Sequence, residues 1–155
     1  MKKIDYKSLI FNIFMPIGLS MIISLLLGDY SDKYDSLIKL FEVPSIVFPI
    51  VWFILYILMG ISSYIIYEIN TKESQNAYYY YWISLFINLL WPVFFFGFDL
   101  YLFSALWLIL LVVIVIVVMI KYYQLNKVSF YLLIPYLLWL GFALVLNISI
   151  YILNS

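Results

Sequence analysis

The chain of 155 residues contains no cysteine and no histidine, and its eight basic residues are all lysines. Disulfides, thiol catalysis, the common zinc sites and histidine ligation of haem are therefore excluded within this sequence. Without arginine there is no bidentate grip on phosphate, and the lysines are scattered rather than clustered, which argues against nucleic-acid binding. Because no serine has a histidine partner and the lysines lie at span boundaries, we predict no catalytic residue.

Charge is also scarce, and apolar residues dominate. Charged residues make up only 10% of the chain, whereas hydrophobic residues make up 68% and aromatic residues 22%. A soluble domain of this length could not bury so much apolar surface. The composition therefore predicts that the lipid bilayer is the solvent for most of the chain.

Five apolar stretches are long enough to cross a bilayer, which takes roughly 20 residues. The predicted fold is an all-α integral membrane protein, a single domain over residues 1–155 built as a bundle of five transmembrane helices. The first stretch is interpreted as a retained span, since Leu26-Leu27-Gly28-Asp29 is a poor signal-peptide cleavage site. The predicted spans are residues 8–27, 44–67, 77–98, 101–122 and 129–153.

The lysines in the short connections predict the orientation, because positive residues favour the cytoplasmic side. On one side lie Lys2, Lys3, Lys7, Lys72, Lys121 and Lys127, and on the other only Lys33 and Lys39. This bias predicts a cytoplasmic N-terminus, with the first loop and the C-terminus outside. A composition rich in Lys, Ile, Tyr and Asn is typical of an AT-rich bacterial genome, so we expect a bacterial plasma membrane.

Three of the predicted helices carry an aromatic ring and a polar group on one face. Asn88 and Trp91 share a face of the third span, with Phe95 one turn further on. The fifth span has a similar stripe of Tyr136, Trp139, Ala143 and Asn147, and the second has Trp52, Tyr56 and Ser63. If these faces converge, they enclose a cavity with flat walls and a few hydrogen-bond donors, which suits a planar ligand.

The same residues have a purely structural interpretation. An asparagine amide in hydrocarbon needs a hydrogen-bond partner, and membrane helices use such amides to hold one another. Asn88 and Asn147 would then bond across the bundle, to each other or to a carbonyl freed by proline. For a metal, only Asp29, Asp32 and Asp35 offer ligands, but the glycine and glutamate of a calcium loop are missing, so no metal site is predicted.

Three segments resemble the family of tryptophan-rich sensory proteins and translocator proteins, once called peripheral benzodiazepine receptors. The segments are residues 44–60, 88–97 and 135–147, and they follow one another in the family's order. Their matching motifs are Val-Trp52-x-x-Leu-Tyr56-x-x-Met-Gly60, Asn88-Leu-Leu-Trp91-Pro92, and Pro135-Tyr136-x-x-Trp139-x-x-Phe142-Ala143-x-x-Leu-Asn147.

The resemblance implies a five-helix bundle, often a homodimer, with a cavity that opens towards the first loop. It implies binding of porphyrins, other tetrapyrroles and synthetic aromatic drugs, with no cofactor required. By motif, the ligand-binding residues would be Trp52, Asn88, Trp91, Trp139 and Ala143, with Asn147 near the end of the fifth helix and Tyr56 from the stripe on the second.

The chain departs from the family pattern in the first loop and at the end. Lys33-Tyr34 stands where the family has a Trp-Tyr pair, and Leu40 replaces a proline, so we expect this loop to cover the cavity differently. The proposed cholesterol motif of animal members needs a basic residue after Tyr151, which this chain lacks.

The leading hypothesis is therefore a membrane protein that binds tetrapyrroles or similar planar hydrophobic molecules, as a sensor, regulator or translocator. One alternative is an enzyme that degrades bound protoporphyrin with light or an oxidant through an indole radical. Another is a carrier of hydrophobic ligands, against which stand the lack of an inverted repeat and of a buried ionisable coupling residue.

Overall fold

The computed structural model describes residues 4–155, and within that range the chain is all-helical. Five of the six helices described are long and apolar enough to cross a membrane. Lys2 and Lys3, which contribute to the predicted orientation, lie outside the described residues. The helices are α1 (Tyr6–Leu27), the short α2 (Ser31–Ser36), α3 (Val47–Tyr67), α4 (Lys72–Pro92), α5 (Tyr101–Leu125) and α6 (Lys127–Leu153).

Three of the long helices begin before the apolar run that predicted them, because polar side chains cap their first turns. Asp5 accepts hydrogen bonds from the backbone of Lys7 and Ser8 at the start of α1. Thr71 and Ser74 form a capping box before α4, and the Asn126 side chain caps α6. Such caps satisfy backbone N–H groups that have no partner in the first turn. The helices therefore start two to five residues before the predicted spans 8–27, 77–98 and 129–153.

The five long helices form a closed ring in which each packs on its neighbours. Helix α3 packs between α1 and α6, while α5 packs between α4 and α6. Helix α4 completes the ring through contacts with α1 and also touches α3. The second, third and fifth predicted spans, which are α3, α4 and α6, thus face one bundle interior.

The backbones of α1 and α3 are in contact towards one end of the bundle. This end carries the α3–α4 and α5–α6 connections, and we call it the closed end. A Cβ atom added to Gly60 would lie 2.6 Å from both the Asn12 carbonyl oxygen and the Ile13 Cα. Asn12 is 1% exposed, and its Oδ1 accepts hydrogen bonds from Ser63 and Tyr78, each at 3.0 Å. One carboxamide therefore connects α1, α3 and α4 where the helices approach most closely.

Helix α4 ends in a π-helical turn over Val93–Gly97, directly after Pro92. Proline has no backbone N–H to donate, which interrupts the hydrogen bonds of the α-helix, and π-helix occurs mostly as single turns of this kind. The turn directs the adjacent rings of Phe95 and Phe96 into the protein, where both contact Trp91. This local change of helix type supplies an extra aromatic ring at the end of α4.

The first loop, residues 28–46, folds across the opposite end of the bundle, here called the cavity end. Its Tyr34 is 1% exposed, and the ring packs edge-on against Phe48. The Lys39 ammonium donates to the carbonyl oxygens of Tyr34, Asp35 and Leu37 at 2.9–3.1 Å. These hydrogen bonds hold the end of α2 and the residues after it around the buried Lys39 side chain.

Two further contacts attach the first loop to other parts of the bundle, and a third holds the loop together internally. Lys33 pairs with Asp99 at 2.5 Å, between α4 and α5. The Asp35 carboxylate accepts from the backbone N–H and the hydroxyl of Ser45, at 3.1 and 3.0 Å. Asn154, just after α6, exchanges two hydrogen bonds with the Ile38 backbone. The loop is therefore tied to the ends of α4, α5 and α6, and it leads directly into α3.

Candidate functional site

A cavity of about 420 Å³ lies between α1, α3 and α4, next to the first loop. Helices α1 and α3 touch at the closed end and diverge towards the cavity end, and the cavity lies between them there. Its volume falls in the range of roughly 300–1,000 Å³ that is usual for small-molecule sites. The lining residues are Ile17, Ser20, Met21, Ile23, Ser24, Leu27, Tyr30, Phe48, Pro49, Trp52, Phe53, Tyr56, Leu89, Trp91, Pro92 and Phe96.

Aromatic rings form two walls of the cavity. On α3, the rings of Trp52 and Tyr56 are stacked, with centroids 5.5 Å apart and planes 26° from parallel. On the other side, Tyr30 of the first loop stacks on Phe96 with centroids 4.0 Å apart. Flat, polarizable faces of this kind favour a ligand that is itself flat and apolar.

Side chains at the edge of the cavity between α1 and α3 are exposed on the outer surface of the bundle. Met21 of α1 is 60% exposed, and Phe53 of α3 is 53% exposed. Both residues line the cavity and both lie within predicted membrane spans. The cavity thus opens sideways between α1 and α3, while the first loop covers it at the cavity end.

The residues that line the cavity are uncharged, and the first loop places charged side chains beside it. The hydroxyl and backbone N–H of Ser31 hydrogen-bond to Asp29 and hold the pKa of that carboxyl below its usual value. Burial raises the pKa of the neighbouring Tyr30, and the Asp29 charge raises it further. At neutral pH the Tyr30 phenol therefore stays uncharged against Phe96, and the aromatic wall is neutral.

Of the seven predicted site residues, three line the cavity: Trp52, Tyr56 and Trp91. Trp91 is 3% exposed, and its indole Nε1 donates to the Asn147 side chain at 3.0 Å. This bond holds the indole plane in place and leaves its apolar surface towards the cavity. Three of the aromatic residues named from the sequence thus line this cavity, two on α3 and one on α4.

Trp139 lies on the other side of α3. It borders a shallow apolar groove between α3 and α6 on the outer surface of the bundle. Its ring packs edge-on against Phe48, which also lines the cavity, at a centroid distance of 5.9 Å. The groove is lined by Val51, Ile54, Leu55, Leu58, Pro135, Leu138, Trp139 and Phe142.

The other three predicted residues lie in the packed interior rather than at the cavity. Asn147 accepts from Trp91 and from Ser104, and donates to the Tyr101 carbonyl at 2.8 Å. For Asn147, the structural interpretation accounts for both ends of the amide. Ala143 is 2% exposed and Asn88 1% exposed, and the Asn88 Nδ2 has no partner within residues 4–155.

The cavity therefore differs in place from the one expected among the second, third and fifth spans. Those faces do converge, since Trp52 contacts Tyr136 and Trp91 bonds to Asn147. Because their side chains fill the space between them, the void lies on the α1 side of α3. Whether the seven residues bind a ligand stays a prediction.

Sequence reasoning missed the contribution of α1 and of the π-helical turn. Ile17, Ser20 and Ser24 lie in an apolar run with no aromatic residue among them to distinguish their face. Phe96 belonged to a matched motif, but its orientation depends on the turn after Pro92. Asn12 had a usable signal, because it is a carboxamide within an apolar stretch, as Asn88 and Asn147 are.

Within residues 4–155, no group of three or more Asp, Glu, His or Cys side chains is arranged to hold a metal ion. Asp29 instead accepts from Ser31, Asp35 accepts from Ser45, and both carboxylates take part in the local turns of the first loop. These two carboxylates therefore accept hydrogen bonds from serines of the same loop.

The fold and the cavity define a class of protein: a helical membrane protein of five spans with an aromatic-lined pocket beneath a structured first loop. The profile of the TspO/MBR family matches residues 12–153. The chain belongs to the TspO/MBR family, and it is an integral membrane protein.

Individual relatives agree with this assignment. The chain is 36% identical to the tryptophan-rich protein TspO of Archaeoglobus fulgidus over 115 residues, and this aligned region covers 74% of each chain. It is 32% identical over 124 residues to the tryptophan-rich protein TspO of Chlorobaculum tepidum, 78% of each. It is also 32% identical over 104 residues to the translocator protein of Sus scrofa, 65% of this chain and 62% of the relative. Ligand, cellular membrane and homodimer formation stay predictions.

Proposed function

We propose that this protein binds a planar, largely apolar molecule of the tetrapyrrole class in the cavity between α1, α3 and α4. The observation that carries the proposal is the pair of aromatic walls, Trp52 with Tyr56 and Tyr30 with Phe96, around a space of about 420 Å³. Stacking and burial would supply most of the affinity. The few polar side chains of the lining, such as Ser20 and Ser24, would meet the ligand's polar edge.

The bilayer is the proposed source of the ligand. The opening between α1 and α3 is bordered by the exposed side chains of Met21 and Phe53, at the depth of the membrane. The first loop, by contrast, is held over the cavity end by the Lys33–Asp99 pair and the Asn154–Ile38 bonds. A hydrophobic ligand dissolved in lipid would therefore enter sideways, without passing the first loop.

A titration of the purified protein with protoporphyrin in lipid nanodiscs, followed by tryptophan fluorescence, tests the proposal. The variants Trp52→Leu and Trp139→Leu form a matched pair, because the two indoles lie on opposite sides of α3. We expect saturable quenching in the native protein. We expect Trp52→Leu to weaken binding by roughly tenfold, the equivalent of about 1.4 kcal/mol, and Trp139→Leu to weaken it by less than about twofold.

Two results would contradict the proposal in different ways. If the native protein shows no saturable quenching, it does not bind a tetrapyrrole. Equal losses in both variants would mean that the ligand reaches both sides of α3, as the set of seven predicted residues implies. Illumination of the complex, with a search for a protein-dependent absorbing product, would distinguish simple binding from degradation.

We also propose a bacterial plasma membrane with the N-terminus and the closed end in the cytoplasm. Among the described residues, Lys7, Lys72, Lys121 and Lys127 lie at the closed end and support this orientation. Since the chain has no cysteine, Gln75→Cys and Ser36→Cys give single labelling sites at opposite ends. A membrane-impermeant maleimide added to intact cells should label Ser36→Cys only, and the reverse result would invert the orientation.

A further inference from the structure

The second half of the first loop is apolar on its outer side, although it contains a lysine. Ile38 and Leu40 are each 60% exposed, and Phe41 is 44% exposed. Lys39 stands among them in the sequence but is only 9% exposed. Its ammonium donates to three backbone carbonyls of the loop and lies 4.8 Å from the centre of the Tyr34 ring. We call Ile38, Leu40 and Phe41 the apolar edge of the loop.

The burial of Lys39 is unusual for this residue type. A lysine at a protein surface normally buries its aliphatic stem and leaves the ammonium in water. Here the ammonium points inward, and charge-assisted hydrogen bonds to the loop's own carbonyls offset the cost of removing it from water. No cation therefore lies on the outer side of residues 37–41. Such a surface is more favourable against hydrocarbon than against water.

The apolar edge lies beside α6 rather than beyond its end. The Phe41 ring is 6.0 Å from the ring of Phe142, which borders the outer groove between α3 and α6. Phe142 comes eleven residues before Leu153, the last residue of α6, which corresponds to about 16 Å along the helix axis. The Ile38 backbone, by contrast, bonds to Asn154 just after α6. From Ile38 to Phe41 the chain therefore descends along the outer surface of α6.

Contacts with α3 relate the depth of the apolar edge to the membrane. Helix α3 begins at Val47, and Phe48 in its first turn packs against Trp139, about one turn from Phe142 on α6. Phe41 thus lies close to the level of the first turn of α3. Since α3 has 21 residues and a hydrocarbon core of about 30 Å takes about 20, this turn lies at the edge of the hydrocarbon.

We propose that the apolar edge inserts into the leaflet at the cavity end, where its partner is the acyl chains of the surrounding lipid. The edge is continuous with the lipid-facing surface of α6 through Phe142 and the exposed Leu138. The charged half of the loop lies elsewhere, because Lys33 is paired with Asp99 between α4 and α5. The loop is therefore held by lipid along α6 and by an ion pair above α4 and α5.

Insertion makes the bilayer part of the cover over the cavity, because the same loop presents Tyr30 to the cavity, stacked on Phe96. Glu42 follows the apolar edge and is exposed, and at this depth its carboxylate can reach the polar headgroups. The proposal depends on the membrane location of the chain and not on a ligand. It can therefore be tested in the ligand-free protein, apart from any failure of tetrapyrrole binding.

Spin labels on single cysteines test the proposal, since the native chain has no cysteine. Leu40→Cys places the label on the apolar edge, and Ser36→Cys, in the charged half of the same loop, is the matched control. Leu138→Cys, at a side chain that is 69% exposed on α6, marks the lipid-facing surface. Power-saturation EPR compares collisions with oxygen, which concentrates in hydrocarbon, and with a water-soluble nickel chelate. Nanodiscs of phosphatidylcholine and phosphatidylglycerol with one chain per disc exclude contact with a second copy.

We expect the Leu40→Cys label to collide more with oxygen than with the nickel chelate, at a depth of about 5–10 Å within the headgroup and acyl boundary. The Leu138→Cys label should behave alike, and the Ser36→Cys label should show the reverse. Ile38→Cys gives a second position on the edge. Nickel collisions at both edge positions equal to those of Ser36→Cys would mean that the edge faces water, and would overturn the proposal. Few collisions with either reagent would overturn it too, because protein would then cover the edge.

Discussion

The two ends of the α1–α3 pair differ in how closely the same helices approach. At the closed end, Gly60 brings the α3 backbone against Asn12 of α1, and the Asn12 amide is bonded to Ser63 and Tyr78. At the cavity end the helices are separated by a space lined with rings and exposed at Met21 and Phe53. The contact at one end fixes the helices, and their separation at the other forms the pocket.

The difference shows how a membrane protein can keep an apolar cavity open. Lipid chains are as apolar as the lining residues, so the hydrophobic effect does not close such a space as it would in water. Close packing and hydrogen bonds at the closed end supply the attraction that holds α1 in the bundle. Changes there should lower stability, whereas changes at the opening should alter ligand exchange.

The largest effect is expected for Gly60→Ala. The added Cβ would lie 2.6 Å from the backbone of Asn12 and Ile13, so α1 and α3 must separate. We expect a loss of about 1–3 kcal/mol in the free energy of unfolding, measured by denaturant titration in detergent. Gly18→Ala is the control, since nothing lies within 4 Å of its Cβ. Equal effects of the two substitutions would show that α1 and α3 do not touch at Gly60.

A smaller loss of stability is expected for Asn12→Leu. The substitution keeps the side-chain volume similar and removes the acceptor of Ser63 and Tyr78. Ser63 retains the Gly60 carbonyl as a partner at 3.1 Å, so the unpaired group is mainly the Tyr78 hydroxyl. We expect a loss of about 1–2 kcal/mol.

A double-mutant cycle with Tyr78→Phe isolates this interaction. If Asn12 connects α1 to α4, the double variant should be more stable than the sum of the single effects predicts. Strict additivity would mean that the two side chains do not interact. The experiment thereby tests whether the polar contact, and not packing alone, fixes the closed end.

At the open end, Met21→Trp is expected to change rates more than stability. The larger side chain would narrow the space between Met21 and Phe53 and slow both entry and release of protoporphyrin, by roughly tenfold. Stopped-flow fluorescence in nanodiscs measures both rates. Leu25→Trp, one turn away at a side chain that is 80% exposed and does not line the cavity, is the control. Unchanged rates in Met21→Trp would exclude the sideways route.

Sequence reasoning predicted the membrane helices well and the pocket incompletely, for a physical reason. The apolar runs mark the spans because bilayer thickness sets their length. Capping residues such as Thr71 moved three of the helix starts to earlier positions. Which face of α1 turns inward is not visible in its pattern, because lipid-facing and interior residues are equally apolar. Trp91 was predicted because a tryptophan stands out in an apolar span. Ile17 and Ser20 were missed because nothing in the sequence distinguishes them from lipid-facing residues.

The smallest effect concerns the pH dependence of the α1 cap at the closed end. The Ser8 hydroxyl and backbone N–H groups hydrogen-bond to Asp5 and lower the pKa of its carboxyl. A group whose pKa is lower in the folded state stabilises the fold above its unfolded pKa of about 3.9. That contribution is lost as the pH falls through the folded pKa.

Between pH 7 and 5 we therefore expect the unfolding midpoints of the native protein and of Asp5→Asn to run parallel. Below about pH 4 the native protein should lose stability relative to Asp5→Asn, because asparagine accepts the cap hydrogen bonds without titrating. Asp5→Ala should be less stable than both at pH 7. If the native curve stays parallel to Asp5→Asn down to pH 3, Asp5 does not cap α1 as a carboxylate, and the closed end is fixed by Gly60 and Asn12 alone.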